Sequence, residues 1–247
     1  MPVPTVSVII PAAGAGRRFA AGGWRPHATP EQPPSKVLAL LAGRPILAHT
    51  LERFAAVDAV AEIIVAVAAD RVDQARQMFG HTFRPGRRLL FVAGGAERIE
   101  SVAHALEVTD RSTELVAIHD AVRPLIRPAV IEEALRVAIE RGAAVVGRPV
   151  DHTVKSVTAG RQVRATVPRQ ELWIAQTPQV FRREVITEAY ARRHDIVGAV
   201  TDDAQLVEGM GREVFMVLGD AANLKITTPE DLRLCEALLA AGWPFEG

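Results

Sequence analysis

The sequence predicts an α/β fold built around one doubly wound, mostly parallel sheet. Short β-branched runs recur along the chain, and their continuous hydrophobicity is typical of strands that are buried on both faces. Segments with apolar residues at helical spacing separate these runs, and parallel neighbours require such crossover connections. The chain has 247 residues, of which 49% are hydrophobic and 23% are charged. That composition is sufficient for one large core, so we expect a single domain over residues 1–247.

Each predicted element follows from a local pattern. The predicted strands cover residues 6–10, 62–67, 89–92, 115–118, 143–146 and 214–218. Three predicted helices lie between them, with helical spacing among Ile46, Leu47, Thr50, Leu51 and Phe54, among Val102, Ala105 and Leu106, and among Val130, Ile131, Ala134, Leu135 and Ala138. In folds of this kind, ligands bind at the carboxyl ends of the strands.

Two segments interrupt the alternation of strands and helices. Residues 20–35 are rich in Gly and Pro and too polar to pack, which predicts a long loop directly after the first strand. Residues 150–167 alternate apolar and polar side chains around a turn at Gly160, which predicts a β-hairpin that stands off the main sheet. We assign residues 150–172 to this hairpin arm.

Charge and cysteine content exclude several classes of protein. Lys+Arg and Asp+Glu both number 29, so no overall positive field attracts nucleic acid or an anionic membrane. The single cysteine, Cys235, excludes an internal disulfide framework. The apolar stretch 6–10 lacks a basic flank and is too short for a signal peptide or a membrane span. We therefore expect a cytoplasmic protein without a nucleic-acid or membrane partner.

The end of the first predicted strand is glycine-rich. The segment PAAGAGRR runs from Pro11 to Arg18, and glycines there allow backbone N–H groups to approach phosphate oxygens. It matches neither the P-loop nor the dinucleotide fingerprint, so an ordinary strand-to-helix turn remains open.

Lys36 closes the long loop in the segment PSK. It is either a surface residue or a placed cation, and lysine is rare here, since only Lys155 and Lys225 accompany it.

Two further strand ends carry polar residues. The segment GGAERIES, residues 94–101, combines a glycine turn with a helix start, and it either recognises a base through its amides and Ser101 or is a turn alone. The segment HDAVRP, residues 119–124, follows a buried strand. There Asp120 and Arg123 either bind Mg²⁺ and a phosphate or bridge a loop to each other, while His119 reads as a packed core histidine.

The last motif precedes the C-terminal helix. Thr228 is a predicted N-cap and Pro229 a first-turn residue. Lys225, in the segment NLKIT, has apolar neighbours and is expected to project from a strand end toward the ligand edge of the sheet.

Taken together, the motifs resemble a known family. PAAGAGRR, PSK, GGAERIES, HDAVRP, VDHTVK, ATVPRQELWIAQTPQ, VTDDA and NLKIT occur in that order over nearly the whole chain. The pattern resembles the 2-C-methyl-D-erythritol 4-phosphate cytidylyltransferases. This resemblance implies a Rossmann-like fold and a reaction that joins CTP to methylerythritol phosphate, releasing pyrophosphate, in non-mevalonate isoprenoid biosynthesis. It also implies a homodimer with interlocked hairpin arms and a requirement for Mg²⁺ or another divalent cation.

The resemblance also implies roles for individual residues. The implied catalytic residues are Arg18, Lys36 and Lys225, and the implied nucleotide-binding residues are Ala12, Ala13, Gly14, Ala15, Gly16, Gly95, Ala96, Ser101, Asp120 and Ala121. The implied substrate-binding residues are Arg123, Thr153, Arg169 and Thr177, and the implied metal ligand is Asp120. The chain departs from the pattern at residues 20–35, which look like an insertion, and at Ala96, where an acidic residue is common.

Charge balance supports the same reading. A triphosphate and a phosphomonoester together bring roughly six negative charges into one cleft. Mg²⁺ would offset this charge together with five basic residues, Arg18, Lys36, Arg123, Arg169 and Lys225. No general base is needed, because the attacking oxygen belongs to an ionised phosphate.

Three other functions remain open at this stage. A cytidylyltransferase for another polyol phosphate, such as ribitol 5-phosphate, would differ in the acceptor pocket around Thr153 and Arg169. A sugar-1-phosphate nucleotidyltransferase usually needs a larger acceptor region. A non-catalytic nucleotide-binding regulator would not need the combination of Lys36, Asp120 and Lys225.

Overall fold

The computed structural model describes residues 5–14, 35–80, 87–196 and 198–243. Its centre is a seven-stranded sheet in the order β11-β7-β10-β6-β1-β4-β5. Its strands are β1 (Val6–Pro11), β4 (Val60–Val67), β5 (Arg88–Ala93), β6 (Leu115–Ile118), β7 (Ala143–Pro149), β10 (Trp173–Arg182) and β11 (Phe215–Leu218). All neighbours are parallel except at β10, which runs antiparallel to β6 and β7. The predicted α/β, Rossmann-like, mostly parallel sheet is confirmed.

Helices cover both faces of the sheet. They are α1 (Ile46–Ala55), α2 (Val72–Phe79), α3 (Arg98–Glu107), α4 (Pro128–Arg141), α5 (Arg183–Ala191), α6 (Ala204–Glu208) and α7 (Pro229–Ala240). Alternate residues of β1 face opposite cores: Val8 and Ile10 pack on the side of α1 and α4, and Ile9 on the side of α3 and α5. Burial on both faces explains why the strands are continuously apolar.

Strand β10 was not predicted from the sequence. It contains Pro178 and buried polar residues, Gln176 and Gln179, which interrupt the hydrophobic pattern of a central strand. The Thr177–Pro178 peptide bond is cis, and the pairing of β10 with β7 shifts register between Ala175 and Gln179. This strand matters for the site because it brings Thr177 beside the end of β6.

The predicted hairpin is present. Strands β8 (Val154–Val157) and β9 (Val163–Val167) form a separate antiparallel pair, while β2 (Leu40–Leu41) and β3 (Arg44–Pro45) form a second small one. The turn includes Gly160, although the residue with positive φ is Arg161. Within the described ranges, no helix is long and apolar enough to cross a membrane.

The topology places a crevice between β1 and β6. The chain proceeds from β1 outward to β4 and β5 and then returns to β6 on the other side of β1. Connections therefore leave in opposite directions at the carboxyl ends of these two strands, which is where open α/β sheets bind ligands. The segments after β1, β5 and β6 all begin at this edge.

Candidate active site

Two adjoining cavities open at the carboxyl ends of the parallel strands. The first has a volume of about 340 Å³ and lies between the segments after β1, β5 and β6. The second has a volume of about 220 Å³ and lies between the end of β6, strand β10 and the segment before α6. Arg98, Asp120 and Lys225 line both cavities. The two cavities therefore share a wall that carries one carboxylate and two cations.

The first cavity collects most of the predicted nucleotide-binding residues. Its lining includes Ala12, Ala13, Gly14, Gly95, Ala96, Ser101, Asp120 and Ala121. Lys36, in a short 3₁₀ turn that precedes α1, lines the same cavity. Ala15, Gly16, Arg18 and all of the predicted loop 20–35 except Ser35 lie outside the described residues.

The turn after β5 requires glycine at two positions. A Cβ atom on Gly94 would lie 2.5 Å from the Cβ atom of Ala13, and one on Gly95 would lie 2.3 Å from the Cβ atom of Glu100. The Ser101 hydroxyl accepts a hydrogen bond from the Gly95 N–H (3.1 Å) and donates one to the Glu97 carbonyl (3.0 Å). Ser101 therefore ties the turn to the start of α3, and Gly95 and Ala96 form part of the cavity wall.

Asp120 is the electrostatic centre of the shared wall. Its carboxylate lies 2.9 Å from Lys225 Nζ, 3.3 Å from Arg98 Nε and 3.3 Å from Arg123 Nε. Burial alone would raise the pKa of this carboxyl, but Lys225, Arg98 and Arg123 together hold that pKa well below its usual range. Asp120 is therefore ionised at neutral pH, and its charge holds three cations together at the wall.

His119 is a structural residue, as the sequence predicts. It is fully buried, and its ring packs edge-on against Phe54, with the centroids 4.8 Å apart. Burial lowers the pKa of its imidazole to about 4. The neutral ring donates from Nε2 to the Arg123 carbonyl (3.1 Å) and accepts at Nδ1 from the Thr177 hydroxyl (3.1 Å).

Thr177 connects this histidine to the backbone of the site. Its hydroxyl oxygen also accepts a hydrogen bond from the Asp120 N–H at 3.0 Å. This chain of contacts fixes the peptide that presents the Asp120 carboxylate to the cavities. Thr177 lines the second cavity, and so does the predicted substrate-binding residue Arg123.

Arg123 is anchored at both ends of its guanidinium. Nε contacts Asp120, and Nη1 donates to the Asn223 carbonyl at 2.8 Å. Asn223 is fully buried, and its side-chain amide donates to Gln176 Oε1 (3.0 Å) and to the Thr177 carbonyl (2.9 Å). Gln176 and Thr177 on β10 thus hold Asn223, and the Asn223 carbonyl sets the position of the Arg123 guanidinium at the second cavity.

Lys225 reaches the site from a different element than predicted. The sequence predicts a strand end at this position, but residues 223–227 are irregular and lie between β11 and α7. The backbone N–H of Ile226 donates to the Val122 carbonyl at 2.9 Å, which ties this segment to the loop after β6.

The predicted cap is confirmed: Thr228 is the N-cap of α7 and accepts from the Asp231 N–H.

Thr153 and Arg169 lie on the hairpin arm, away from both cavities of their own chain. Neither residue is part of the lining of either cavity. The Arg169 guanidinium donates to the carbonyl of Asp151 at the base of the arm. The structure therefore brings Arg123 and Thr177 together at the acceptor side but does not bring Thr153 and Arg169 to them within one chain.

Several residues that line the cavities have no role in the sequence-based prediction, among them Arg98, Thr201 and Asp202. Arg98 belongs to the quoted segment GGAERIES, and Thr201 and Asp202 belong to VTDDA. Arg98 lines both cavities, and the other two line the second. Arg98 stands between Glu97 and Glu100 at a helix start, a setting that is typical of a solvated arginine. Only its place in the segment GGAERIES indicates a role for it.

The donor set at the shared wall suits a cation that arrives with a ligand. Within the described ranges, no group of three or more His, Cys, Asp or Glu residues is arranged to hold a metal ion. Mg²⁺ is commonly bound by one or two carboxylates together with substrate phosphates and water. The single carboxylate of Asp120 therefore fits a divalent cation that is coordinated mainly by a polyphosphate.

Comparison with known proteins gives a consistent result. The family model described as IspD, 2-C-methyl-D-erythritol 4-phosphate cytidylyltransferase, matches residues 6–241. A protein of that name from Solibacter usitatus is 44% identical over 239 residues, which is 95% of this chain and 95% of that protein.

Solved structures of similarly named proteins share the fold. A 4-diphosphocytidyl-2C-methyl-D-erythritol synthase from Anaerococcus prevotii superposes with a TM-score of 0.79 at 28% identity, covering 96% of this chain and 99% of that one. A 2-C-methyl-D-erythritol 4-phosphate cytidylyltransferase from Thermus thermophilus superposes with a TM-score of 0.73 at 35% identity, with the same coverage. By its sequence and by its fold, the chain belongs to the 2-C-methyl-D-erythritol 4-phosphate cytidylyltransferase family.

Proposed function

We propose that the two cavities bind the two substrates of a cytidylyl transfer, CTP in the first and 2-C-methyl-D-erythritol 4-phosphate in the second. The observation that carries the proposal is the shared wall, where Arg98, Asp120 and Lys225 face both cavities. A phosphate bound in the second cavity and an α-phosphate bound in the first would meet at this wall. The products are 4-diphosphocytidyl-2-C-methyl-D-erythritol and pyrophosphate, in non-mevalonate isoprenoid biosynthesis.

The first cavity has separate regions for the base and for the phosphates. In the proposal, Gly95 and Ala96 contact cytosine through the backbone, and Asp120 and Ala121 contact the ribose side. Ser101 keeps the turn in place through its hydrogen bonds to Gly95 and Glu97. The segment from Ala12 through Gly16 wraps the triphosphate, because closely spaced backbone N–H groups bind anions well.

The chemical step needs little more than orientation and charge. An oxygen of the methylerythritol phosphate attacks the α-phosphorus, the new P–O bond forms, and the bond to pyrophosphate breaks. The attacking oxygen is already ionised, so no side chain has to remove a proton. Lys36 and Lys225, with Arg18 in the proposed set, stabilise the negative charge that develops on the oxygens of the α-phosphate.

The acceptor phosphate is proposed to bind Arg123 and Thr177 in one subunit and Thr153 and Arg169 of the neighbouring subunit. Arg123 is already aimed at the second cavity by its contacts with Asp120 and Asn223. An arginine fork matches the geometry of a phosphate. Residues 150–172 form the arm that carries the other two residues, within a nucleotidyltransferase domain that spans residues 1–247.

The proposed second subunit explains an unusual apolar surface. Val157 and Val163 on the arm are 48% and 58% exposed, and Ile174 at the start of β10 is 54% exposed. Leu218, on the edge strand β11, is 66% exposed. An isolated two-stranded hairpin is at best marginally stable in water. A homodimer related by a two-fold axis would cover these side chains and stabilise the arm.

A divalent cation, Mg²⁺ in this proposal, would be held by Asp120 and the phosphates of CTP. When bound, it would neutralise charge on the triphosphate and polarise the bond to the leaving pyrophosphate. Lys225, Arg98 and Arg123 all contact the Asp120 carboxylate in the structure, and Lys225, the most exposed of the three, would turn from Asp120 toward phosphate oxygens. The proposal also places the enzyme in the cytoplasm, where CTP is available.

The direct test is a pyrophosphate-release assay with purified protein, CTP and Mg²⁺ and one polyol phosphate at a time. We expect rapid release with 2-C-methyl-D-erythritol 4-phosphate and release at least about a hundredfold slower with ribitol 5-phosphate, because a polar pocket rejects a mismatched acceptor. Chelation by EDTA should stop the reaction. Faster turnover of ribitol 5-phosphate would show that the enzyme acts on another polyol phosphate. Absence of turnover with every acceptor would favour a non-catalytic nucleotide-binding regulator.

A further inference from the structure

A buried carboxylate behind the site has no part in the reaction described above. Asp203 precedes α6 and is 1% exposed. It accepts hydrogen bonds from Arg98 Nη2 at 2.7 Å and from the Tyr190 hydroxyl at 2.5 Å. Burying an ionised carboxylate costs several kcal/mol unless well-placed partners compensate for it. The ionised state of Asp203 therefore depends on these two partners.

Asp203 is fixed with respect to the sheet. Gln179 Oε1 on β10 accepts from the backbone N–H groups of Asp203 (3.0 Å) and Ala204 (2.9 Å). Gln179 is paired in register with Ile118, two residues before Asp120. The Gln179 side chain therefore ties the backbone of Asp203 to the strand that pairs with the end of β6.

Arg98 lies between Asp203 and Asp120. Its Nη2 contacts Asp203 and its Nε contacts Asp120 at 3.3 Å. A guanidinium has five donors in a rigid plane and readily forms a two-point fork with a single carboxylate. The contact with Asp203 takes up Nη2, so Arg98 meets Asp120 through Nε alone.

We propose that Asp203, supported by Tyr190, is a positioning residue that holds Arg98 at the wall between the two substrate cavities and keeps it from forking onto Asp120. Asp120 then remains able to exchange its cation partners for the incoming nucleotide and metal. Without the negative charge of Asp203, Asp120 is the nearest remaining carboxylate for Arg98, and the guanidinium turns toward it. This inference rests on the proposed function for its kinetic consequences, although not for the Asp203–Arg98 coupling itself.

A double-mutant cycle separates positioning from simple structural support. The variants are Asp203→Asn, which removes the charge at constant size, Arg98→Ala, and both together. We expect Asp203→Asn to lower kcat/KM by about tenfold or more. In the Arg98→Ala background, the same change should alter kcat/KM by less than about twofold, because its target is gone. Effects that multiply, or a single Asp203→Asn variant within about twofold of wild type, would overturn the proposal.

A matched control comes from the opposite edge of the sheet. Glu62 is also 1% exposed and lies 3.0 Å from an arginine, Arg88, but it is at the amino ends of the strands. Glu62→Gln should lower the melting temperature as Asp203→Asn does and leave kcat/KM unchanged. If Asp203→Asn does not fold, Tyr190→Phe takes its place in the cycle. A kcat/KM for Tyr190→Phe equal to wild type, or an effect that multiplies with Arg98→Ala, would then count against the proposal.

A second readout keeps this inference distinct from the proposed function. Calorimetric binding of CTP with Mg²⁺ is measured over the same cycle, and Asp203→Asn should weaken binding only when Arg98 is present. If wild type binds CTP but turns over no polyol phosphate, the proposed function fails, while this coupling is still measured. If binding is unaffected by Asp203→Asn and kcat/KM is also unaffected, the positioning role is wrong.

Discussion

Lys225 Nζ lies 2.9 Å from Oδ2 of Asp120, and this ion pair joins the segment before α7 to the loop after β6. The lysine is 39% exposed at its side chain, whereas the carboxylate is 9% exposed. The cation can therefore turn toward a ligand while the anion stays in place. Arg98 and Arg123 still neutralise Asp120 when Lys225 moves, so the site can release one cation without leaving a buried charge unpaired.

This arrangement predicts that Lys36→Ala and Lys225→Ala impair the chemical step more than nucleotide binding. Charge that develops in the transition state is stabilised by both amines in the proposal, so kcat should fall about a hundredfold or more while the KM for CTP changes much less. Steady-state kinetics with saturating acceptor give both values.

Both lysine variants should remain folded, because neither leaves Asp120 without a cation. Arg76→Ala, on the exposed surface of α2, is a matched control for removing a cation and should keep wild-type kinetics. A Lys36→Ala enzyme with near-normal kcat would show that Lys36 is only a surface cation.

The glycine turn after β5 predicts a preference for CTP. A site that hydrogen-bonds one base leaves its own polar groups unpaired with another, so kcat/KM should be at least about a hundredfold higher for CTP than for UTP or ATP. Gly95→Ala should weaken CTP binding by about tenfold or more, since its Cβ would clash with Glu100 at 2.3 Å and displace the turn.

Gly160→Ala is the control for the glycine substitution. A Cβ atom there would meet its nearest neighbour, a side chain, at an ordinary 3.7 Å, so CTP affinity should stay within about twofold of wild type. Equal kcat/KM for all three nucleotides would contradict the assignment of this turn to base recognition.

The buried imidazole of His119 predicts a loss of stability in mild acid. An unfolded chain protonates this ring as pH falls below 6.5, whereas burial in the native state lowers its pKa to about 4. The unfolded state therefore binds more protons between these values, and the free energy of unfolding falls as pH drops from 6.5 to 4, by about 3 kcal/mol from this group. Urea unfolding at a series of pH values measures the fall.

Replacing the ring tests this origin. His119→Gln should be less stable than wild type at pH 7.5 but should lose less stability between pH 6.5 and 4. His49, whose pKa burial also lowers, supplies a remaining part of the slope in every variant. An unchanged slope in His119→Gln would show that other groups cause the acid sensitivity.

The position of the arm predicts that one active site is built from two chains. Lys36→Ala and Arg169→Ala should each be inactive alone but should complement when the two variants are unfolded and refolded together. In a mixed dimer, one site has both residues intact and the other lacks both. With random pairing about half of the dimers are mixed, so about a quarter of all sites should be active.

The mixing experiment needs proof that heterodimers form, which an affinity tag on one variant provides. Refolding each variant with wild-type protein controls for the yield. Tagged heterodimers with no recovered activity would contradict the shared active site and would assign Arg169 to the site of its own subunit.

Local sequence pattern determined most strands of the sheet and several individual positions. The runs that form β1 and β6 are continuously apolar because both faces are covered. Thr228 and Pro229 mark the start of α7 through chemistry confined to one helical turn. The glycines after β5 and the carboxylate after β6 also stand at strand ends, where the fold class alone places a ligand.

Tertiary structure decided which of these residues meet. Strand β10 carries Pro178 and buried glutamines, so its central place in the sheet depends on pairing with β6 and β7 and not on its own hydrophobicity. Arg98 and Lys225 reach Asp120 from segments that are distant in the sequence. A local pattern reports periodicity and burial, because those depend on near neighbours along the chain. Contacts between charges depend on strand order and long-range packing, and these exist only in the folded molecule.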